Sequence, residues 1–245
     1  MKKIFKENTK IVNGIINNSG ENDESFGPRF VKKYRKQEDG RPLPGVVHQY
    51  IDIIKTLSIN DEVVLDFGCS TGHASAVFKE KAPRATYIGA DVSLAELLGA
   101  KNMYDPDFLY KIRYDEPCLG SMRANSVDLI VVSRLTDWNS LDNFFPEFNR
   151  VLKSGGCLFV YSNRGLTGGP RVEPKGWQVQ RSNEELKIAI YNYLKDDYTF
   201  YYDKFTDLEG ISRSLWGSKD KYKKLEAPLS EAELNKRFRG LFIKK

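Results

Sequence analysis

Cysteine and histidine are both scarce in this chain of 245 residues, which holds three of the first (Cys69, Cys118, Cys157) and two of the second (His48, His73). The cysteines are odd in number, widely spaced and never in a CxxC pair, so neither a disulfide framework nor a zinc site is expected. With only two imidazoles, an acid–base mechanism built on histidine has few places to sit, and no metal site is expected. No run of 18 or more apolar residues occurs, which excludes a membrane-spanning helix. The basic start, Met1 to Asn8, lacks the apolar stretch of a secretory signal, and a cytoplasmic protein is expected. Charge of one sign is not in large excess: 38 Lys and Arg stand against 33 Asp and Glu, a net +5 spread along the chain. That falls short of a dedicated nucleic-acid binder but leaves room for an anionic ligand. What is present is a hydrophobic fraction of 40%, enough to bury a real core, so a fully disordered chain is excluded. One domain of ordinary size is expected, with room for a small appendage.

The first 40 residues read as polar and loop-rich, with a short helix possible over Phe30 to Lys36. Pro44 then opens a helix on which Val47, Tyr50, Ile51, Ile54 and Leu57 recur at helical spacing and which carries His48 as a partly exposed side chain. From Glu62 onward strands and helices alternate. Strands are predicted at Val63–Leu65, Thr86–Ala90, Leu109–Tyr114, Val127–Val132 and Cys157–Tyr161. Helices are predicted at Ala74–Lys81, Ser93–Lys101 and Leu141–Leu152, the last interrupted by Pro146 and stopped by Lys153-Ser154-Gly155-Gly156. This alternation means βαβ units and a mainly parallel sheet. After a long loop from Asn163 to Arg181, Ser182-Asn183-Glu184-Glu185 matches a capping box opening a helix to about Lys195. Tyr198–Tyr202 and Gly240–Ile243 read as an antiparallel pair that closes the sheet. Residues 239 to 245 are therefore expected to be indispensable to the sheet, and residues 1 to 7 dispensable.

Three features fall in order at the carboxyl ends of the predicted strands, the edge at which an open α/β sheet binds its ligand. The first is Asp66-Phe67-Gly68-Cys69-Ser70-Thr71-Gly72, a strand end running into a glycine loop that opens a helix. It has neither the lysine of a GxxxxGK[ST] loop nor the spacing of GxGxxG, which excludes a P-loop and a nicotinamide fingerprint. The second is Asp91, placed to accept both hydroxyls of a ribose. The third is Asp115-Glu116, where a carboxylate can accept from an exocyclic amine. Solvated carboxylates at strand ends are common, and each feature alone is weak. All three together make a bound adenosine the best single explanation.

On these residues the chain resembles the class I S-adenosylmethionine-dependent methyltransferases, over roughly residues 60 to 162. Asp66 to Gly72 is similar to the family's D-x-G-x-G-x-G loop, Asp91 to Ala100 to its D-x-S-x-x-M-L-x-x-A segment, and Arg150 to Gly156 to its R-V-L-K-P-G-G turn. The resemblance implies an α/β, Rossmann-like, seven-stranded and mostly parallel sheet of order 3-2-1-4-5-7-6, with helices on both faces and an antiparallel last strand. It implies S-adenosylmethionine as cofactor, with Asp66, Gly68, Ser70, Gly72, Asp91, Val92, Ser93, Asp115, Glu116 and Ser133 as its binding residues. Ser70 stands where the family has glycine, a mild change if the local φ is negative. Glu96 replaces an apolar residue, and Ser154 replaces proline.

No histidine stands after strand four, where many small-molecule members carry a pair; Thr136 and Asp137 occupy the place. Two readings of Asp137 stand side by side, a general base for an acceptor hydroxyl and a helix N-cap. His73 is the other catalytic candidate, although its position directly after Gly72 suits the amino-acid end of the cofactor. The acceptor is expected to meet residues 1–58, an N-terminal extension and helix, and the loop 163–181 of a catalytic core spanning 59–245. Arg164, Arg171, Trp177 and Arg181 in that loop suit a polar, anionic small molecule such as a nucleotide-linked sugar, methylated on oxygen. A solvated charged loop is the plainer reading. Two rivals remain: an RNA base or ribose methyltransferase and a non-catalytic S-adenosylmethionine-binding subunit. The oligomeric state is not legible in the sequence.

Overall fold

The computed structural model describes residues 3–17, 44–112, 118–133, 141–161, 192–194, 196–203, 222–224 and 239–245. Through these residues the elements run β1 (Ile11–Val12), β2 (Ile15–Asn17), α1 (Pro44–Leu57), β3 (Val63–Phe67), α2 (His73–Lys81), β4 (Thr86–Asp91), α3 (Leu94–Tyr104), β5 (Phe108–Lys111), β6 (Val127–Ser133), α4 (Leu141–Val151), β7 (Leu152–Tyr161), β8 (Tyr198–Asp203), β9 (Tyr222–Lys224) and β10 (Arg239–Lys244). The strands join in one sheet of order β1-β2-β5-β4-β3-β6-β7-β10-β8-β9. From β5 to β7 neighbouring strands are parallel, whereas β10 lies antiparallel between β7 and β8. The stretch β5-β4-β3-β6-β7-β10-β8 has the expected seven-strand order, flanked by β1 and β2 at one edge and β9 at the other.

The central strands are near-continuous apolar runs because both of their faces are covered. Along β3, Val64 joins one core with Tyr50, Ile53 and Ile54 of α1 and Val77 and Phe78 of α2. Its neighbour Leu65 points the other way, into a core with Phe144, Phe145 and Phe148 of α4. Helices thus cover both faces, as the βαβ pattern requires. Chain order reverses beside β3, which leads to β4 on one side and adjoins β6 on the other. A crevice at the carboxyl end of β3 follows from that reversal.

Two expectations need correction. The first 40 residues are not uniformly loop: Asn13 (φ 53°) and Gly14 (φ 76°) make a two-residue turn with both φ positive, and Ile11–Val12 pairs antiparallel with Ile15–Ile16 across it. An Asn-Gly pair between β-branched residues is the sequence signal for this hairpin. Strand β2 then runs parallel to β5 and extends the sheet. Phe5 is 1% exposed and stacks on Tyr110 and edge-on to Phe108, so Ile4 and Phe5 are part of the core. Second, Lys153 to Gly156 lies inside β7 as an irregularity: Val127 faces Leu152, and Leu129 faces Cys157.

The arginine of the Arg150–Gly156 turn has a structural task. Its guanidinium donates to Leu119 O and Met122 O, each at 2.9 Å, and to both carboxylate oxygens of Glu147. This holds the turn before β6 against α4. The short helix over 30–36 and the capping box at Ser182 lie outside the described residues.

Candidate cofactor site

The crevice at the end of β3 is floored by the loop from Gly68 to Gly72. Gly68 (φ 83°), Ser70 (φ 52°) and Gly72 (φ 75°) all adopt left-handed backbone, which explains glycine at alternate positions of such a loop. The condition on which Ser70 counted as a mild change is therefore not met. A serine held left-handed is strained by about 1 kcal/mol. Strand β4 fastens the loop from beside it: Gly68 N and Cys69 N both donate to Ala90 O, at 2.7 and 2.9 Å. Ser70 N donates to Asp91 Oδ2 at 2.9 Å, and Ser93 N donates to Asp91 Oδ1 at the same distance. Val92 bridges those two residues, and Ser93 caps α3 by accepting from Glu96 N.

Asp66 sits beneath this loop, 2% exposed. Tyr50 donates to its Oδ1 and Tyr87 to its Oδ2, both at 2.6 Å. Burial pushes its carboxyl up to about 6; the two tyrosine hydrogen bonds oppose that rise, and the charge of Asp91 adds to it. His73, the first residue of α2, is buried, and its Nδ1 lies 2.8 Å from the Tyr104 hydroxyl at the end of α3. Burial lowers its imidazole to about 4, so it is neutral at pH 7. The buried Cys69 thiol packs beneath the loop at Gly89, where an added Cβ would come within 3.0 Å of its sulfur.

The structure thus brings Asp66, Gly68, Ser70, Gly72, His73, Asp91, Val92 and Ser93 to one loop and its two flanking strand ends, and Ser133 ends the adjacent β6. Asp115, Glu116, Asp137, Arg164, Arg171, Trp177 and Arg181 lie outside the described residues. Tyr50, Tyr87 and Tyr104, which hold Asp66 and His73, escaped sequence reasoning. The available signal was a tyrosine inside an apolar run, since a buried phenol needs a partner.

The residues present fit a nucleoside-like cofactor. Among the described residues, the hydroxyls of Ser70, Thr71 and Ser75 are buried without a hydrogen-bond partner, a costly state that a polar ligand would relieve. Asp91 accepts one backbone N–H on each oxygen, and a carboxylate offers about four acceptor sites in all.

Residues 64–156 match the family model described as a methyltransferase domain. With the strand order and the glycine loop, that match shows a class I S-adenosylmethionine-dependent methyltransferase domain over these residues. Among individual proteins, it is similar to a malonyl-[acyl-carrier protein] O-methyltransferase of Methylovorus sp. (strain MP688), 32% identical over 185 residues, which cover 67% of this chain and 61% of that protein. It is also similar to a ribosomal RNA small subunit methyltransferase C of Hahella chejuensis, 25% identical over 138 residues, covering 54% of this chain and 40% of that one. The chain therefore spans less than two thirds of the length of these relatives. A solved structure, a SAM dependent methyltransferase from Aquifex aeolicus, shares the fold with a TM-score of 0.55 at 15% identity, over 89% of this chain and 98% of that one. No helix among the described residues is long and apolar enough to cross a membrane.

Proposed function

We propose that this chain is an S-adenosylmethionine-dependent O-methyltransferase acting on a polar, anionic small molecule. The observation that carries the reading is the loop with left-handed backbone at residues 68, 70 and 72, fastened through Ser70 N to the carboxylate of Asp91. When bound, S-adenosylmethionine supplies an electrophilic methyl group that an acceptor oxygen takes by in-line displacement. In this reading Asp91 holds the ribose hydroxyls, the loop backbone and the Ser70 and Thr71 hydroxyls hold the amino-acid end, and Asp115 or Glu116 meets the base. Asp137 removes the proton when the acceptor is a hydroxyl. An acceptor that is already an anion, such as a carboxylate, needs alignment alone. Residues 1–58 and the loop 163–181 contribute the acceptor side, with Arg164, Arg171 and Arg181 taking the anionic groups and Trp177 stacking on a ring. The relative named for O-methylation of a malonyl group supports oxygen as the acceptor atom, and the net charge of +5 supports an anionic acceptor.

A second reading, methylation of RNA, draws on the similarity to a ribosomal RNA methyltransferase. A third, a cofactor-binding subunit without catalysis, is disfavoured by the intact loop. The test begins with calorimetric titration of S-adenosylhomocysteine, which is expected to bind. Methyl-labelled S-adenosylmethionine is then offered with nucleotide sugars, a malonyl thioester and total RNA. Label on a small anionic acceptor supports the first reading, and label confined to RNA moves the assignment to the second. Binding without transfer to any of these favours the third, and absence of binding refutes the proposal.

A further inference from the structure

Asp66 opens the glycine loop, yet it faces away from any ligand that the loop receives: both of its oxygens are engaged inside the protein, by phenols on two different elements. Tyr87 belongs to β4, the strand that also holds the loop through Ala90 O and the Asp91 carboxylate. Tyr50 belongs to α1. The two phenols are held in place by Phe78 of α2, whose ring lies 5.9 Å from that of Tyr50 and 5.4 Å from that of Tyr87. Tyr50, Asp66 and Tyr87 are all buried, so water does not compete for these hydrogen bonds.

We propose that Asp66 is a positioning residue rather than a cofactor ligand, and that the Tyr50–Asp66–Tyr87 clamp fixes α1 and the glycine loop in register with each other. The proposal rests on the methyltransferase reading of the loop. Tyr50 thereby acts on cofactor affinity from α1, through a carboxylate. The clamp needs Asp66 as an anion, because only then do both oxygens accept without one being spent on a proton. The groups facing that anion are the two phenols, the Asp91 carboxylate beyond the loop and the Cys69 thiol; the side chain facing the phenols from α2 is the uncharged Phe78. Loss of either phenol removes a hydrogen bond that favours ionisation, so the carboxyl must then titrate at higher pH.

The test is calorimetric titration of S-adenosylhomocysteine into wild type, Y50F, Y87F, D66N and the Y50F/D66N double variant between pH 5 and 8. Thermal unfolding of each variant confirms a cooperative fold. Wild type is expected to bind with an affinity that falls as pH drops through about 6. Y50F and Y87F, which keep the ring packing, should each weaken binding about 3- to 10-fold at pH 7 and move the inflection upward. The double variant should bind no worse than D66N alone. A direct ligand role for Asp66 predicts otherwise: Y50F unchanged at pH 7 and no coupling between it and D66N, and that result overturns the proposal. Failure of wild type to bind instead overturns the methyltransferase reading and the clamp's role with it, so the two failures are distinguishable. Should D66N not fold, Y50F and Y87F decide alone, since unchanged affinity and an unmoved inflection in both overturn the proposal.

Discussion

Gly72 and Ala100 touch across the gap between the glycine loop and α3: a Cβ on Gly72 would lie 2.7 Å from the Ala100 Cβ. The two residues come from different motifs of the sequence, and each is small because the other is close. Gly72 is also left-handed, at φ 75°. Gly72→Ala therefore combines backbone strain with overpacking and should destabilise the fold by about 2–4 kcal/mol. Ala100→Leu meets only the overpacking and should cost about 1–3 kcal/mol. Urea unfolding of both variants checks the order, and an unchanged midpoint for Gly72→Ala would contradict the contact.

Asp66 and His73 should tilt stability with pH in opposite directions. The Asp66 carboxyl is raised from 3.8 to about 6 by burial. The folded chain therefore binds more protons than the unfolded chain between those values, and stability falls as pH rises from about 4 to 6. His73 is lowered from 6.5 to about 4 by burial. Here the unfolded chain binds more protons, and stability rises over nearly the same window. Each effect amounts to roughly 3 kcal/mol, so in wild type the two largely cancel. D66N should become markedly more stable from pH 4 to 6.5, and H73Q should become less stable. Melting temperatures against pH settle it, and parallel profiles for both variants would rule the compensation out.

The start of the chain should matter as much as its end. Phe5 is buried against Phe108 and Tyr110, and it bridges to Met122. Phe5→Ala should cost about 3–5 kcal/mol. Removal of residues 1–7 should lower the melting temperature strongly, contrary to the expectation that they are dispensable to the sheet. Removal of 239–245 takes away a strand hydrogen-bonded on both sides, by β7 and β8, and should leave no cooperative transition. Chemical denaturation of both truncations measures this, and an unaltered midpoint in the shorter N-terminal form would return residues 1–7 to the periphery.

Why some of this was legible in the sequence and some was not follows from the range of the interactions. The parallel strands were readable because Val63-Val64-Leu65 and Leu129-Ile130-Val131-Val132 carry their burial in their own composition, and the glycine loop because its backbone needs are local. The Asn13-Gly14 hairpin was equally local and was masked by the polar stretch after it. The partners of Asp66 were not readable: Tyr50 is 16 residues before it and Tyr87 is 21 after it, and no spacing links residues that meet only through the fold. The left-handed backbone at Ser70 was hidden for a different reason, since serine gives no sign of φ.

Asp91 has two structural tasks besides the one proposed for it, because Ser70 N and Ser93 N both donate to its carboxylate. Asp91→Ala should therefore lower stability as well as weaken S-adenosylmethionine binding by about 2–4 kcal/mol, since hydrogen bonds to charged groups contribute about 1.5–3 kcal/mol each. Calorimetry together with thermal unfolding separates the two effects. A full-affinity Asp91→Ala variant would remove this carboxylate from the ribose.

The proton-transfer role proposed for Asp137 leaves a signature that depends on the acceptor. His73 is a poor alternative base, because its imidazole titrates near 4 and its Nδ1 is engaged with Tyr104. For a hydroxyl acceptor, Asp137→Asn should keep cofactor affinity and lower kcat about 10²- to 10⁴-fold, the range typical of a general base. For a carboxylate acceptor there is no proton to remove, and kcat should change little. Arg164→Ala and Arg171→Ala should instead raise KM with kcat nearly kept, as expected for groups that hold the acceptor equally in ground and transition states. Steady-state kinetics of the three variants with whichever acceptor takes the label distinguishes these cases. A hydroxyl acceptor methylated at full rate by Asp137→Asn would eliminate Asp137 as the base.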